Sequence, residues 1–198
     1  MHGRRLATTE KLILLLSPNA EDPTTRIEDW ANDHGIEIAT VALDESVEAV
    51  HEPDRPTLGV TVGGDGTFLE GIKRFTERGI PQLGVNAGTL AFLARVELDD
   101  LQVALEEVLR GRATVDSRQK LEVSGTGVDA TGINDVMIEN VPPENPFDRK
   151  VTRLEVFADG EYVGQYEGTG IAVATPTGST GISLSAGGPV HIPADNHT

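Results

Sequence analysis

Cysteine is absent from the 198-residue chain. Disulfide scaffolds, thiolate metal sites and cysteine nucleophiles are therefore excluded together. Aromatic residues are scarce, at 4%, beside a hydrophobic content of 38%, a balance that fits a globular chain able to bury a core. Long apolar runs are missing as well. The longest clean one, Leu12 to Leu16, falls far short of the roughly 18 residues a membrane span requires. Met1 to Glu10 carries Arg4 and Arg5 but no apolar stretch of signal-peptide length, so a cytoplasmic protein without membrane association is expected. His2, His34, His51, His191 and His197 show neither HxH nor HExxH spacing, and no metal site held by the protein is expected.

Positive charge is the remaining scarcity. Lys11, Lys73, Lys120 and Lys150 are the only lysines, and the formal charge is −16. That balance excludes nonspecific nucleic-acid binding, which needs a basic footprint. The acidic residues are spread through patterned segments, so they form a solvated surface and not a disordered tail. An acid-rich, lysine-poor surface is what a salt-adapted cytoplasm favours, because salt screens its self-repulsion.

What is present reads first as alternating strands and helices. Lys11 to Leu16 predicts a buried strand closed by Ser17-Pro18. Asp22-Pro23 starts a helix, with proline expected at its first position; Ile27, Trp30, Ala31 and His34 keep its period, and Gly35 stops it. Ile36 to Ala42 is a second strand, and Asp44 to Pro56 a polar connection. Leu58 to Val62 is a third strand running into Gly63-Gly64-Asp65-Gly66. A helix bearing Phe68, Leu69, Ile72 and Phe75 on one face follows, ended by Gly79. Gln82 to Val85 and an amphipathic helix through Leu101, Leu105, Val108 and Leu109 complete a parallel sheet flanked by helices.

The character changes near residues 112–118. Leu121 to Ser124, Ile133 to Glu139, Val151 to Ala158, Glu161 to Tyr166 and Ile171 to Thr175 are β-like runs, with Asp159-Gly160 a hairpin signal. The expected division is an α/β domain over residues 1–114 and an all-β domain over residues 115–198.

Chemistry concentrates at the glycine turn. Its glycines allow conformations closed to other residues and close approach to a ligand, while the helix behind it aims free N–H groups at an anion. An aspartate there repels phosphate, which suggests chemistry: accepting a hydroxyl proton, or holding a magnesium ion that offsets phosphate charge. Read alone, the turn also fits an ordinary Asp-Gly connection. Asn134-Asp135 offers donors and acceptors for a ribose diol or carboxamide, or is a polar strand end. Thr177-Gly178-Ser179-Thr180 is a hydroxyl-rich turn, either an anion or ribose site or a plain helix cap.

Gly63-Gly64-Asp65-Gly66-Thr67 resembles the GGDGT signature shared by NAD kinases, diacylglycerol and sphingosine kinases and phosphofructokinases. Asn134-Asp135, the segment Asn86-Ala87-Gly88-Thr89-Leu90-Ala91-Phe92-Leu93, and Thr175-Pro176-Thr177-Gly178-Ser179-Thr180 followed by Ser183 to Pro189 are similar to the NAD kinase motifs, in the same order. This resemblance implies an ATP- or polyphosphate-dependent NAD kinase, a phosphotransferase that converts NAD to NADP. It implies Asp65 as the base or hydrogen-bond acceptor that orients the adenosine ribose 2′-hydroxyl, and magnesium accompanying ATP. Gly66, Asn134, Asp135, Lys150, Thr180, Gly181, Ser183 and Ser185 are implied to bind the dinucleotide, with Lys150 equally readable as a solvated strand-end lysine.

The resemblance also implies a sandwich-like second domain, incomplete here either as a fragment or as a shortened form, and a homo-oligomer. Some positions depart from the family pattern. Thr169-Gly170 stands for Asp-Gly, Thr180-Gly181-Ile182 for Thr-Ala-Tyr, and Glu70 for a frequently basic residue. These departures leave a weak or inactive dinucleotide-binding relative as the alternative.

Overall fold

The computed structural model describes residues 4–6, 8–88, 91–140 and 151–193. Between Asp116 and Ser117 the chain divides into two compact units. In the first, Arg4–Arg5 (β1) precedes Lys11–Leu16 (β2), helix Thr24–His34 (α1), Glu37–Val41 (β3), Thr57–Gly63 (β4), helix Asp65–Phe75 (α2), Gln82–Asn86 (β5), Val96–Glu97 (β6), helix Leu101–Leu109 (α3) and Thr114–Val115 (β7). Five parallel strands lie in the order β3-β2-β4-β5-β6, and β1 pairs antiparallel with β7 apart from them.

A parallel sheet covered on both faces needs strands that are apolar on both sides, and β2 has them. Leu12 and Leu14 join Ile27 and Trp30 of α1 and Leu101, Leu105 and Val108 of α3 in one buried cluster. Ile13 and Leu15 point the other way and pack with Val41, Val47, Phe75 and Ile80. The period-two alternation of side chains thus assigns α1 and α3 to one face and α2 to the other.

Three bare positions let α2 lie close on the sheet. A Cβ on Gly59 would stand 2.5 Å from the Phe75 ring, and one on Gly84 2.4 Å from the Phe68 ring. One on Gly71 would meet the Thr61 methyl at 2.4 Å. Gln82 Nε2 ties the same layer together, donating to Thr61 Oγ1 at 3.0 Å and to the Phe68 carbonyl at 2.9 Å. The start of α2 is therefore placed by its whole length.

The second unit is antiparallel and β-rich. Leu121–Gly125 (β8) pairs with Val128–Gly132 (β9), Asp135–Glu139 (β10) with Gly170–Ala174 (β13), and Thr152–Ala158 (β11) with Glu161–Gly168 (β12). Asp159 and Gly160 turn the β11–β12 hairpin with φ of 51° and 83°, the left-handed pair a tight hairpin demands. A 3₁₀ turn at Thr177–Thr180 and the short helix Ile182–Ser185 (α4) follow β13.

Four strands go beyond the sequence reading: β1, β6 and β7, each of two residues, and β9. The β9 segment, Val-Asp-Ala-Thr-Gly, is mostly exposed and has too little apolar content to show a period. Helix α1 begins at Thr24, one residue later than expected, with Pro23 as its cap and Asp22 Oδ1 accepting the Thr24 N–H at 2.8 Å. Strand β10 begins at Asp135, which leaves Asn134 in the bend before it and not inside the strand.

Candidate active site

The sheet order reverses direction between β2 and β4, and the loops after these strands diverge at their C-terminal ends. Ligands of open parallel sheets bind at such a switch point. Ser17, first residue after β2, donates its N–H to the Val62 carbonyl at 2.9 Å, so this loop runs beside the glycine turn. Gly63 is held at φ 156°, and a Cβ there would fall 2.4 Å from Thr67 Oγ1 and 2.9 Å from Ser17 Cβ. Internal packing thus demands glycine at this position. Gly64 and Gly66 differ, since a Cβ on either would meet nothing within 4 Å. Their bareness keeps open the approach from solvent.

Helix α2 opens at Asp65, with its first i−4 bond from the Phe68 N–H to the Gly64 carbonyl at 3.1 Å. Helix geometry leaves the N–H groups of Asp65, Gly66 and Thr67 without such partners, and the helix dipole adds positive potential there. The Asp65 carboxylate does not cap its own helix. It turns toward the segment after β5. Oδ1 accepts from the N–H of Phe92 at 3.1 Å, Leu93 at 2.9 Å and Ala94 at 3.4 Å, and Oδ2 accepts from the Phe92 N–H at 3.0 Å.

One turn along α2, Glu70 accepts from Lys73 and Arg74, both at 2.7 Å. The Lys73 bond, with the Arg74 bond behind it, holds the Glu70 carboxyl below its ordinary value. The negative charge of Glu70 is thereby countered locally.

An open cleft of about 250 Å³ lies nearby, at the end of β5, lined by Glu21, Asn86, Gly88, Glu97 and Asp99 among others. Its carboxylates would repel a phosphate, so chemistry favours the glycine turn over this cleft as the anion site. Asn86 closes the cleft floor, accepting the Gly88 N–H at 3.0 Å and donating to the Glu97 carboxylate at 3.3 Å.

In the second unit, a tight corner joins Asn134, Asp135, Thr175 and Gly178. The Asn134 carbonyl accepts the Thr175 N–H at 2.8 Å. Thr175 Oγ1 donates to the Ile133 carbonyl at 2.6 Å and accepts the Gly178 N–H at 3.1 Å. A Cβ on Gly178 would stand 1.8 Å from the Asn134 carbonyl oxygen, so no side chain fits. Asn134 Oδ1 is buried with no hydrogen-bond partner. Such an atom costs about 1–3 kcal/mol when left unsatisfied, so it is open to an incoming donor.

Asp135 Oδ2 lies 3.4 Å from the Cβ position of Gly181. Thr180, Gly181 and Ser185 are exposed and Ser183 half-buried. Ser185 Oγ donates to the Gly181 carbonyl at 3.4 Å, and the Gly188 N–H donates to the Ser183 carbonyl at 2.8 Å. Ser179 is buried and structural, donating to the Pro176 carbonyl at 2.7 Å and accepting the His191 N–H at 2.9 Å.

The structure therefore brings Asn134 and Asp135 together with the Thr175–Gly181 turn, and places Asp65 with Gly66 on the glycine turn. Lys150 lies outside the described residues. Sequence reasoning missed the amides of Phe92 to Ala94 as partners of Asp65, and Gly178 as the footing of Asn134. Both segments belong to recognised motifs, but main-chain hydrogen bonds leave no trace in residue type.

Residues 25–113 match the family model of the ATP-NAD kinase N-terminal domain, and residues 133–196 that of the ATP-NAD kinase C-terminal domain. The chain is 33% identical over 193 residues to an NAD kinase of Koribacter versatilis, covering 89% of this chain and 65% of that protein. It is 41% identical over 142 residues to an NAD kinase of Hydrogenovibrio crunogenus, covering 69% and 47%. The chain thus spans about half to two thirds of the length of these relatives.

Among solved structures, yeast NADH kinase complexed with NADH superposes with a TM-score of 0.71 at 26% identity, over 94% of this chain and 63% of that one. An NAD kinase from Archaeoglobus fulgidus in complex with ATP superposes at 0.70 and 23% identity, over 93% and 68%, a likeness of fold. With both units matched in order by the two domain models of one family, the chain belongs to the NAD kinase family.

Proposed function

We propose that this chain phosphorylates the 2′-hydroxyl of the adenosine ribose of NAD to give NADP, with ATP or polyphosphate as donor. The observation that carries the reading is Asp65, a carboxylate on an open glycine turn at the switch point of a parallel sheet. Free N–H groups beside it suit a phosphate, and the carboxylate suits the attacking hydroxyl. Asp65 accepts the hydroxyl proton and directs the oxygen at the terminal phosphorus of the donor. Gly66 gives the phosphates room to approach the main chain.

Asn134 and Asp135 hold a ribose or the carboxamide of the dinucleotide, with Asn134 Oδ1 as the waiting acceptor. Thr180, Gly181, Ser183, Ser185 and Lys150 complete the dinucleotide surface. Phosphoryl transfer depends on positioning and charge neutralisation. Among the described residues no group of three or more His, Asp or Glu is poised to hold a metal ion. Mg²⁺ belongs to this reading as the ion that accompanies ATP and offsets its phosphate charge. A homo-oligomer working in the cytoplasm is part of the same proposal.

The test is formation of NADP from NAD, Mg·ATP and purified protein in molar salt, with polyphosphate in a parallel reaction. NADP should accumulate with at least one donor and stop when the donor is omitted. No NADP with either donor overturns the proposal.

A further inference from the structure

Resting on the reading of Asp65 as the residue that meets the hydroxyl, we propose that the main chain of Phe92 to Ala94 is the positioning element of that carboxylate. Oδ2 is then the oxygen that receives the hydroxyl proton.

The two oxygens are not equivalent. Oδ1 accepts three N–H groups, from Phe92, Leu93 and Ala94, at 3.1, 2.9 and 3.4 Å. Among the described residues Oδ2 accepts the Phe92 N–H alone, at 3.0 Å. A carboxylate oxygen offers about two in-plane lone-pair sites. Oδ1 is therefore filled by the main chain, and among the described residues Oδ2 keeps one site free. An aspartate in the first turn of a helix otherwise has free N–H groups of its own helix to fold back on. The row of amides draws the side chain away from them and fixes its plane.

The amide row has a firm footing. Ala94 is buried, and its Cα would lie 2.9 Å from a Cβ on Gly84 of β5. The bare strand residue thus lets the segment come down onto the sheet. Phe92, by contrast, is 73% exposed. Its contribution to the contact is its main-chain N–H, and the clamp is a backbone device that side-chain identity does not reveal.

The experiment follows amide hydrogen exchange in the full chain without nucleotide. Asp65→Ala removes the acceptor, and exchange at Phe92 and Leu93 should speed by about tenfold or more, while Val85 and Asn86 in β5 stay protected. Asp65→Asn keeps one acceptor oxygen and should fall between wild type and the alanine variant. Equal exchange at Phe92 and Leu93 in wild type and Asp65→Ala overturns the proposal. A second variant, Leu93→Pro, deletes one donor and leaves the Asp65 side chain chemically intact. It should lower kcat by about tenfold or more with little change in KM for NAD, as misplacement of a reacting group does. Unchanged kcat in a variant whose β5 amides remain protected also overturns it. Failure of wild type to make NADP would instead remove the kinase reading, and the exchange result would still judge the clamp.

Discussion

Gly178 shows how much one missing side chain decides. Its Cβ position lies 1.8 Å from the Asn134 carbonyl oxygen, a main-chain atom with no freedom to retreat while it accepts the Thr175 N–H. Gly178→Ala must push Asn134 off its place. The expected result is a rise in KM for NAD of about tenfold or more, read from initial rates, with a smaller change in kcat. An unchanged KM would show that Asn134 does not hold the dinucleotide.

Lys11 makes a different kind of prediction. Its ammonium is buried at the start of β2 and lies 2.9 Å from Glu37 and 2.6 Å from Glu52. Burial alone would push its proton affinity down, but the bonds to Glu52 and Glu37 outweigh that and raise it above 10.5. The Lys11 bond also holds Glu37 and Glu52 below their ordinary 4.5. Carboxyls depressed in this way stabilise the fold fully above pH 4.5, and that stability is lost as pH falls through their lowered values. The raised ammonium acts in the opposite sense, losing its contribution as pH climbs past 10.5. Melting temperatures of Lys11→Met should therefore fall less steeply than wild type on the acid side. Parallel acid limbs would contradict the linkage.

At the scale of elements, the N-terminal end of α2 is set by how the helix seats on the sheet. Gly59 receives Phe75 and Gly84 receives Phe68. Phe75 is fully buried, so its ring cannot swing away from a new methyl. Gly59→Ala should cost about 1–3 kcal/mol in urea unfolding, the usual penalty for overpacking. A variant as stable as wild type would mean that α2 shifts freely, and with it Asp65.

Elements also show what the sequence could and could not say. Strands β2 and β4 and helices α2 and α3 were legible because burial on two faces leaves continuous apolar runs and burial on one helical face leaves a period of 3.6. Strand β9 was not, because exposure erases the alternation that marks a strand. Asp65 and Asn134 were legible as motif residues. Their partners, the amides of Phe92 to Ala94 and the bare backbone of Gly178, were not, because contacts made by main chain constrain shape more than residue type.

The whole molecule carries a formal charge of −16 on a two-part fold. Many of its cations are already engaged: Arg55 with Glu37, Arg74 with Glu70, Arg78 with Glu48, Arg110 with Glu106 and Arg153 with Glu167. The excess negative charge is left to repel itself, and salt relieves that repulsion. The melting temperature should therefore rise between dilute buffer and molar KCl. A flat or falling curve would remove salt adaptation from the account.

The units also differ in depth of burial. Every buried hydrophobic residue of the described chain lies at or before Val108, while Met137, Phe157, Tyr162 and Tyr166 of the second unit are exposed. Two-stranded ladders bury little and are marginal alone. Amides of β11 and β12 should exchange faster than those of β2 and β4, and the reverse order would show that the second unit is the more stable.

In the proposed reaction one carboxylate, Asp65 at the start of α2, meets the ribose hydroxyl of NAD. The most direct measurement is the rate of NADP formation by wild type and by Asp65→Asn at saturating NAD and donor. Loss of about a hundredfold or more in kcat, with the variant still folded and still binding NAD, is the expected result. Turnover at the wild-type rate would contradict it.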